Sequence, residues 1–231
     1  MPNILITGSN RGIGLELTKQ FADAGWRIFA TCRHPAEAEH LRQLAERYES
    51  ISIHRLDVTV LEDIKAITLE MKGTPLDILY NNAGIYLEPD YQLPAIGGIR
   101  YDEWMRTFQV NTLGAVRMTE ALLDNVAMST KRLIVAMTSH MGSIADIQME
   151  GSYYYRSSKA ALNAAMQGLA IAARPRNVGI LLLHPGAVAT RMSTHGISPE
   201  QSVRGLRKVI DGFSLNDTGS FIKYDGTVMP W

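Results

Sequence analysis

A tyrosine and a lysine four residues apart, Tyr155 and Lys159 in Tyr153-Tyr154-Tyr155-Arg156-Ser157-Ser158-Lys159, point into one space if the segment is helical. An ammonium beside a phenol favours the phenolate and lowers a pKa that is normally about 10. Such a tyrosine gives and takes a proton closer to neutral pH. The spacing alone is common, so its surroundings decide. The apolar run Leu133–Met137 ends in Thr138-Ser139, which puts a hydroxyl at the C-terminal end of a strand, and Tyr155 opens the following helix. Asn111, in Gln109-Val110-Asn111-Thr112-Leu113-Gly114-Ala115, is an amide among apolar helix positions. It must be buried and find partners, either at the site or simply as a satisfied, helix-bending residue. The chemistry these groups suit is proton transfer at an oxygen.

A second set suits phosphate. The first strand runs into Thr7-Gly8-Ser9-Asn10-Arg11-Gly12-Ile13-Gly14, and a helix follows. Glycines at 8, 12 and 14 permit a tight turn and let the backbone approach a pyrophosphate, whose charge a helix N-terminus favours. An ordinary glycine-rich turn is the plainer alternative. The second strand ends in Ala30-Thr31-Cys32-Arg33-His34, with no acid before Glu37. A carboxylate there would bind a ribose 2′-hydroxyl, whereas Arg33 suits a 2′-phosphate, with Arg11 as a second positive group. Either arginine is otherwise a solvated surface group; together they favour NADP, with NADPH preferred over NADH. Asp57, followed by Val58, either accepts from an adenine amino group or caps a turn.

The elements that must position these groups alternate. Short apolar runs at Asn3–Thr7, Arg27–Thr31, Ile51–Arg55, Leu76–Tyr80, Arg132–Met137 and Gly179–Leu183 predict strands, with a last short one near Ser220–Lys223. Between them, helices are predicted over Gly12–Ala24, Ala36–Tyr48, Val60–Lys72, Tyr101–Met128, Ser152–Arg174 and Pro199–Gly212. The pattern is that of an α/β doubly wound parallel sheet with helices on both faces, one domain over residues 1–231. Two longer connections, Ile85–Arg100 and Ala187 to about Pro199, follow strand C-terminal ends, where such sheets bind ligands. Balanced charge, 23 basic against 23 acidic side chains, gives no reason to expect nucleic acid or an anionic membrane as partner. The single cysteine, Cys32, rules out an intrachain disulfide and Cys-pair metal or redox motifs. No metal site is expected. With no leader-like start and no apolar stretch of spanning length, a soluble cytoplasmic protein is expected.

The motifs Thr7-Gly8-x-x-x-Gly12-x-Gly14, Asn81-Asn82-Ala83-Gly84, Asn111, Ser139, Tyr155-x-x-x-Lys159 and Pro185-Gly186, in that order, resemble the short-chain dehydrogenase/reductase family. The segments Ala30-Thr31-Cys32-Arg33 and Phe221–Trp231 resemble its carbonyl-reductase-like branch, which includes the sniffer and C-factor proteins. The resemblance implies a Rossmann-type sheet of about seven parallel strands and assembly as a homodimer or homotetramer. It implies that Tyr155 protonates a carbonyl oxygen or deprotonates an alcohol, that Ser139 holds that oxygen, and that Lys159 lowers the tyrosine pKa and binds the nicotinamide ribose. Asn111 would support a water chain, Asn82-Ala83-Gly84 would pass the adenosine ribose, and Pro185 to Thr190, with Gly186 and Val188, would contact the carboxamide side of the nicotinamide. The implied activity is NADP-dependent reduction of an aldehyde or ketone, or the reverse; the alternative is a dinucleotide-binding sensor or signalling protein with little turnover. Although it is one of the longer connections of this chain, the segment after Pro185-Gly186 is short for the family, a departure that leaves the substrate open. Tyr86, Met141, Ile144 and Met192 are candidate pocket residues or core, and His140 and His184 are supporting or packing residues rather than further acids.

Overall fold

The computed structural model describes residues 1–88, 97–148, 150–191 and 195–231. Met192 lies outside them, as do parts of both long connections. Seven strands form one sheet in the order β3-β2-β1-β4-β5-β6-β7, every pair parallel. They are β1 (Asn3–Thr7), β2 (Arg27–Cys32), β3 (Ile51–Arg55), β4 (Ile78–Asn81), β5 (Leu133–Met137), β6 (Gly179–His184) and β7 (Phe221–Lys223). The helices are α1 (Gly12–Asp23), α2 (Glu39–Arg47), α3 (Leu61–Glu70), α4 (Tyr101–Phe108), α5 (Ala115–Ala127), α6 (Tyr153–Ala173) and α7 (Pro199–Asp211).

Near-continuous apolar strands are what burial on both faces requires. Successive side chains of a strand alternate between faces, and β1 shows it: Ile4 and Ile6 join a core with Leu17 and Phe21 of α1 and Leu206 of α7. Leu5 joins the opposite core with Ile67 of α3, Leu122 of α5 and Leu162 of α6. Strand order reverses at β1, since the chain goes first to β2 and β3 and then back to β4. An open α/β sheet leaves its ligand crevice at that reversal, beyond the strand C-termini. Here the crevice is pinned: Thr7 Oγ1 accepts the N–H groups of Asn82 at 3.0 Å and Ala83 at 2.9 Å.

Three elements depart from expectation. Tyr101–Met128 is not one α-helix: Gln109–Gly114 forms a π turn between α4 and α5. Gly114 lies against Val58 so closely that a Cβ would sit 2.6 Å from Val58 Cγ2, and the widened turn lets the buried Asn111 amide reach sideways. The second helix starts at Glu39, after a 3-10 turn at Pro35–Glu37. The fourth strand begins at Ile78, because the Leu76 N–H is taken by the Asn125 carbonyl rather than by a neighbouring strand.

Candidate active site

Backbone shape comes first in the glycine loop. Gly8 and Gly12 have φ of 72° and 55°, a region L side chains rarely adopt. A Cβ at Gly14 would meet the Gly8 carbonyl oxygen at 2.1 Å, so only glycine lets α1 start this close to β1. Ser9 is spent inside the loop, its N–H on the Thr31 carbonyl and its hydroxyl on the Ile6 carbonyl, both at 2.9 Å. Ile13 leans on the core, whereas Asn10 and Arg11 are exposed at the mouth. No side chain caps the start of α1, so its first N–H groups suit an anion. Asn82 Nδ2 donates to the Thr7 carbonyl at 2.9 Å and the Gly8 carbonyl at 3.1 Å, which ties the end of β4 to the loop. On the opposite flank Thr190 lies 3.5 Å from where a Gly12 Cβ would be, so the segment after β6 borders the same loop. There Pro185 and Val188 are buried and Gly186 has φ 83°.

A cavity of about 300 Å³ lies beside the end of β2, lined by Arg33, Asp57, Thr59, Asp102, Arg106 and Val110 among others. Asp57 Oδ1 accepts the N–H of Thr59 at 2.9 Å and its hydroxyl at 2.7 Å, so the carboxylate does cap a turn. Burial acts to raise its pKa, but those two bonds and the charges of Arg33 and Arg106 outweigh it and hold the group below its ordinary value. Val58 is core. Arg106, one helical face of α4, escaped the sequence reading because nothing local links it to β2. A larger groove of about 550 Å³ between α7 and β7 contains none of these residues.

At the other end of the crevice, Tyr155 and Lys159 share a face of α6, the lysine nitrogen 5.6 Å from the centre of the tyrosine ring. Lys159 is 3% exposed and donates to the Met137 carbonyl, at the end of β5, over 2.7 Å. Burial pushes its pKa down to about 7. Two residues on from Met137, Ser139 starts a 3-10 turn, His140–Gly142, and its Oγ accepts the Met141 N–H at 3.2 Å. Gly84 brings the β4 loop alongside: a Cβ there would be 3.4 Å from Asn111 Oδ1 and 3.7 Å from Lys159 Nζ. The Asn111 amide is fully engaged, accepting from Ile85 N–H at 2.8 Å and donating to the Ile85 carbonyl at 2.9 Å and to the Ser158 hydroxyl at 3.1 Å.

Two residues that position this end were not foreseen. Asn163 accepts from Thr138 Oγ1 at 2.6 Å and donates to the Gly142 carbonyl at 3.2 Å, clamping the Ser139 turn to α6. It extends the Tyr155, Lys159 series by one more step of four, a signal the sequence contained. Glu88 binds the first turn of α6 from the β4 loop, and no local spacing announces it. Tyr86 packs its ring on that of Tyr155, 5.2 Å between centroids, and Met141 is half-buried, whereas Ile144 is exposed. His184 is buried beside His140, ring centres 5.2 Å apart; burial and that neighbour hold its pKa down at about 3, so it stays neutral. Cys32 is buried and unpaired by any disulfide. Among the described residues there is no cluster of His, Cys, Asp and Glu able to hold a metal, and no helix long and apolar enough to cross a membrane.

The short chain dehydrogenase family model matches residues 2–201. The chain is 40% identical to the C-signal protein of Myxococcus xanthus over 170 residues, which are 73% of this chain and all of that one. The carbonyl reductase Sniffer of D. melanogaster superposes with a TM-score of 0.91 at 32% identity, covering 100% of both chains. An NADPH-bound carbonyl reductase from chicken fatty liver superposes with a TM-score of 0.92 at 30% identity, covering 100% of this chain and 99% of that one.

Proposed function

We propose that this chain, which belongs to the short chain dehydrogenase family and is an oxidoreductase, reduces an aldehyde or ketone to an alcohol, or the reverse, with NADP as cofactor and Tyr155 as the proton donor and acceptor. The observation that carries the reading is Lys159: a buried side-chain nitrogen fixed to the Met137 carbonyl, one turn from Tyr155 and at the strand end that leads to Ser139. The residues present fit a dinucleotide. The cradle around Gly8 and Gly14 is one that a Cβ would fill, and Arg33 lines the cavity beside the end of β2, where it could receive a 2′-phosphate. In this reading the loop Gly8–Gly14, Asp57, Val58, Asn82–Gly84, Pro185, Gly186, Val188 and Thr190 hold the dinucleotide, and Arg33 with Arg11 selects NADP. The NADPH in a similar carbonyl reductase supports this.

When bound, the nicotinamide supplies or receives the hydride. The chain's own groups handle the oxygen. Tyr155 gives it a proton, or takes one in the reverse direction. Ser139 holds the same oxygen by a hydrogen bond, and preorganised donors stabilise charge developing there. Lys159, when protonated, would favour the phenolate by its charge, and it would hold the nicotinamide ribose of the bound dinucleotide. Asn111 keeps Ile85 in place beside this face. A dinucleotide sensor would need the cradle but not Ser139 and Tyr155 together.

A panel of aldehydes, ketones and quinones with NADPH tests the reading, with Arg33→Asp as the variant. The expected result is turnover of at least one carbonyl class, and an NADPH-over-NADH preference that falls by about tenfold or more in the variant, as loss of a charge-assisted contact implies. No turnover across the panel favours the sensor; an unchanged coenzyme ratio removes Arg33 from the phosphate site.

A further inference from the structure

The start of α6 is held from outside the helix. A helix leaves its first N–H groups without intrahelical partners, and the residue before it usually supplies an oxygen. Here that residue, Ser152, is left-handed with φ 52°, and its side chain caps nothing. Its Oγ lies instead 2.8 Å from the Tyr86 hydroxyl. The N–H groups of Tyr154 and Tyr155 donate to separate oxygens of Glu88, at 2.7 Å and 3.1 Å. Glu88 is 3% exposed, so both oxygens are spent where water hardly reaches. A carboxylate at a helix N-terminus is also favoured by the helix dipole.

The other end of the same short segment is equally fixed. Asn111 holds Ile85 by both its N–H and its carbonyl, and the Tyr86 ring packs against that of Tyr155 at a tilt of 57° between the two anchors. Residues 85 to 88 thus form a bridge from the π turn to the backbone of the tyrosine. The charged groups bearing on Glu88 are Arg156, on the first turn of α6, and Glu103 of α4. Burial raises its pKa, while the two N–H bonds and Arg156 oppose the rise.

We propose that Glu88 is a positioning residue: by accepting the Tyr154 and Tyr155 N–H groups it fixes the phenol of Tyr155 against the loop that follows β4. This rests on the reading of Tyr155 as the proton donor. Removing the carboxylate strands two buried donors and lets the first turn of α6 wander, while the glycine loop and Arg33 are untouched. A misplacement of about 1 Å in a reacting group costs as much as about 10²-fold in rate.

The test uses the full chain with Glu88→Ala and Glu88→Gln, beside Tyr155→Phe as control, on a carbonyl substrate from the panel. Expected in Glu88→Ala is a kcat about ten- to a hundredfold lower with the Kd for NADPH unchanged within about twofold. Glu88→Gln, keeping one acceptor oxygen, falls between this and the parent. Folded Glu88→Gln or Glu88→Ala with parental kcat, beside an inactive Tyr155→Phe, overturns the proposal alone. Active Tyr155→Phe overturns the reading it rests on. Should Glu88→Ala fail to fold, Glu88→Gln decides, and parallel loss of kcat and NADPH affinity in it counts against positioning.

Discussion

Lys159 has a consequence for pH that its site alone does not suggest. Its pKa, about 7 in the folded chain against an ordinary 10.5, means that the unfolded chain binds the extra proton between those values. Unfolding free energy therefore rises with pH across that window, because the cost of burying an ammonium is full below about pH 7 and gone near pH 10. Coenzyme-free protein should gain stability from pH 7 to pH 10 relative to Lys159→Met, measured by urea unfolding; equal slopes would show that the lysine does not titrate there. At this scale the sequence exposed whatever recurs every four residues. Tyr155 and Lys159 were visible that way, and Asn163 could have been. Glu88 could not, since its partners lie across the fold and depend on the path of the chain after β4. Asn82 is a different case: its amide is committed to the Thr7 and Gly8 carbonyls, a job no spacing reveals.

Strands and helices were legible where apolar periodicity was strong, and boundaries slipped where a single contact outweighed it. The run from Tyr101 to Met128 keeps helical character throughout, and the amide of Asn111, readable as a helix-bending residue, marks a distortion without giving its form, the π turn at Gln109–Gly114. What forces it is tertiary: Gly114 against Val58 on one side, Asn111 reaching Ile85 and Ser158 on the other. Such insertions in helices recur at functional sites. Asn111→Ala removes three hydrogen bonds and leaves the Ile85 amide groups without their partner, so a loss of about 1–3 kcal/mol is expected from a buried polar group left unsatisfied. The urea midpoint measures it. A midpoint equal to that of the parent would show that water or a rotated loop replaces the asparagine, and that the π turn does not depend on its amide.

The seven-stranded sheet gathers segments scattered over nearly the whole chain: Gly8 meets Ala83, Gly12 meets Thr190, Gly14 meets Asn82, and Gly84 meets both Asn111 and Lys159. That convergence follows from the order reversal at β1; the alternation of strands and helices implied a doubly wound parallel sheet but not where its order turns. The substrate loops were recognisable as long connections, but length carries no shape, and composition names no substrate. What the proposed function asks of the fold as a whole is one phenol, that of Tyr155, at the mouth of the dinucleotide crevice. The most direct measurement is the turnover of Tyr155→Phe against the parent, with NADPH affinity determined on the same preparations. A loss of about 10²-fold or more in kcat, as removal of a general acid implies, with NADPH bound as before, is the predicted result. Near-parental turnover by the phenylalanine variant would contradict it.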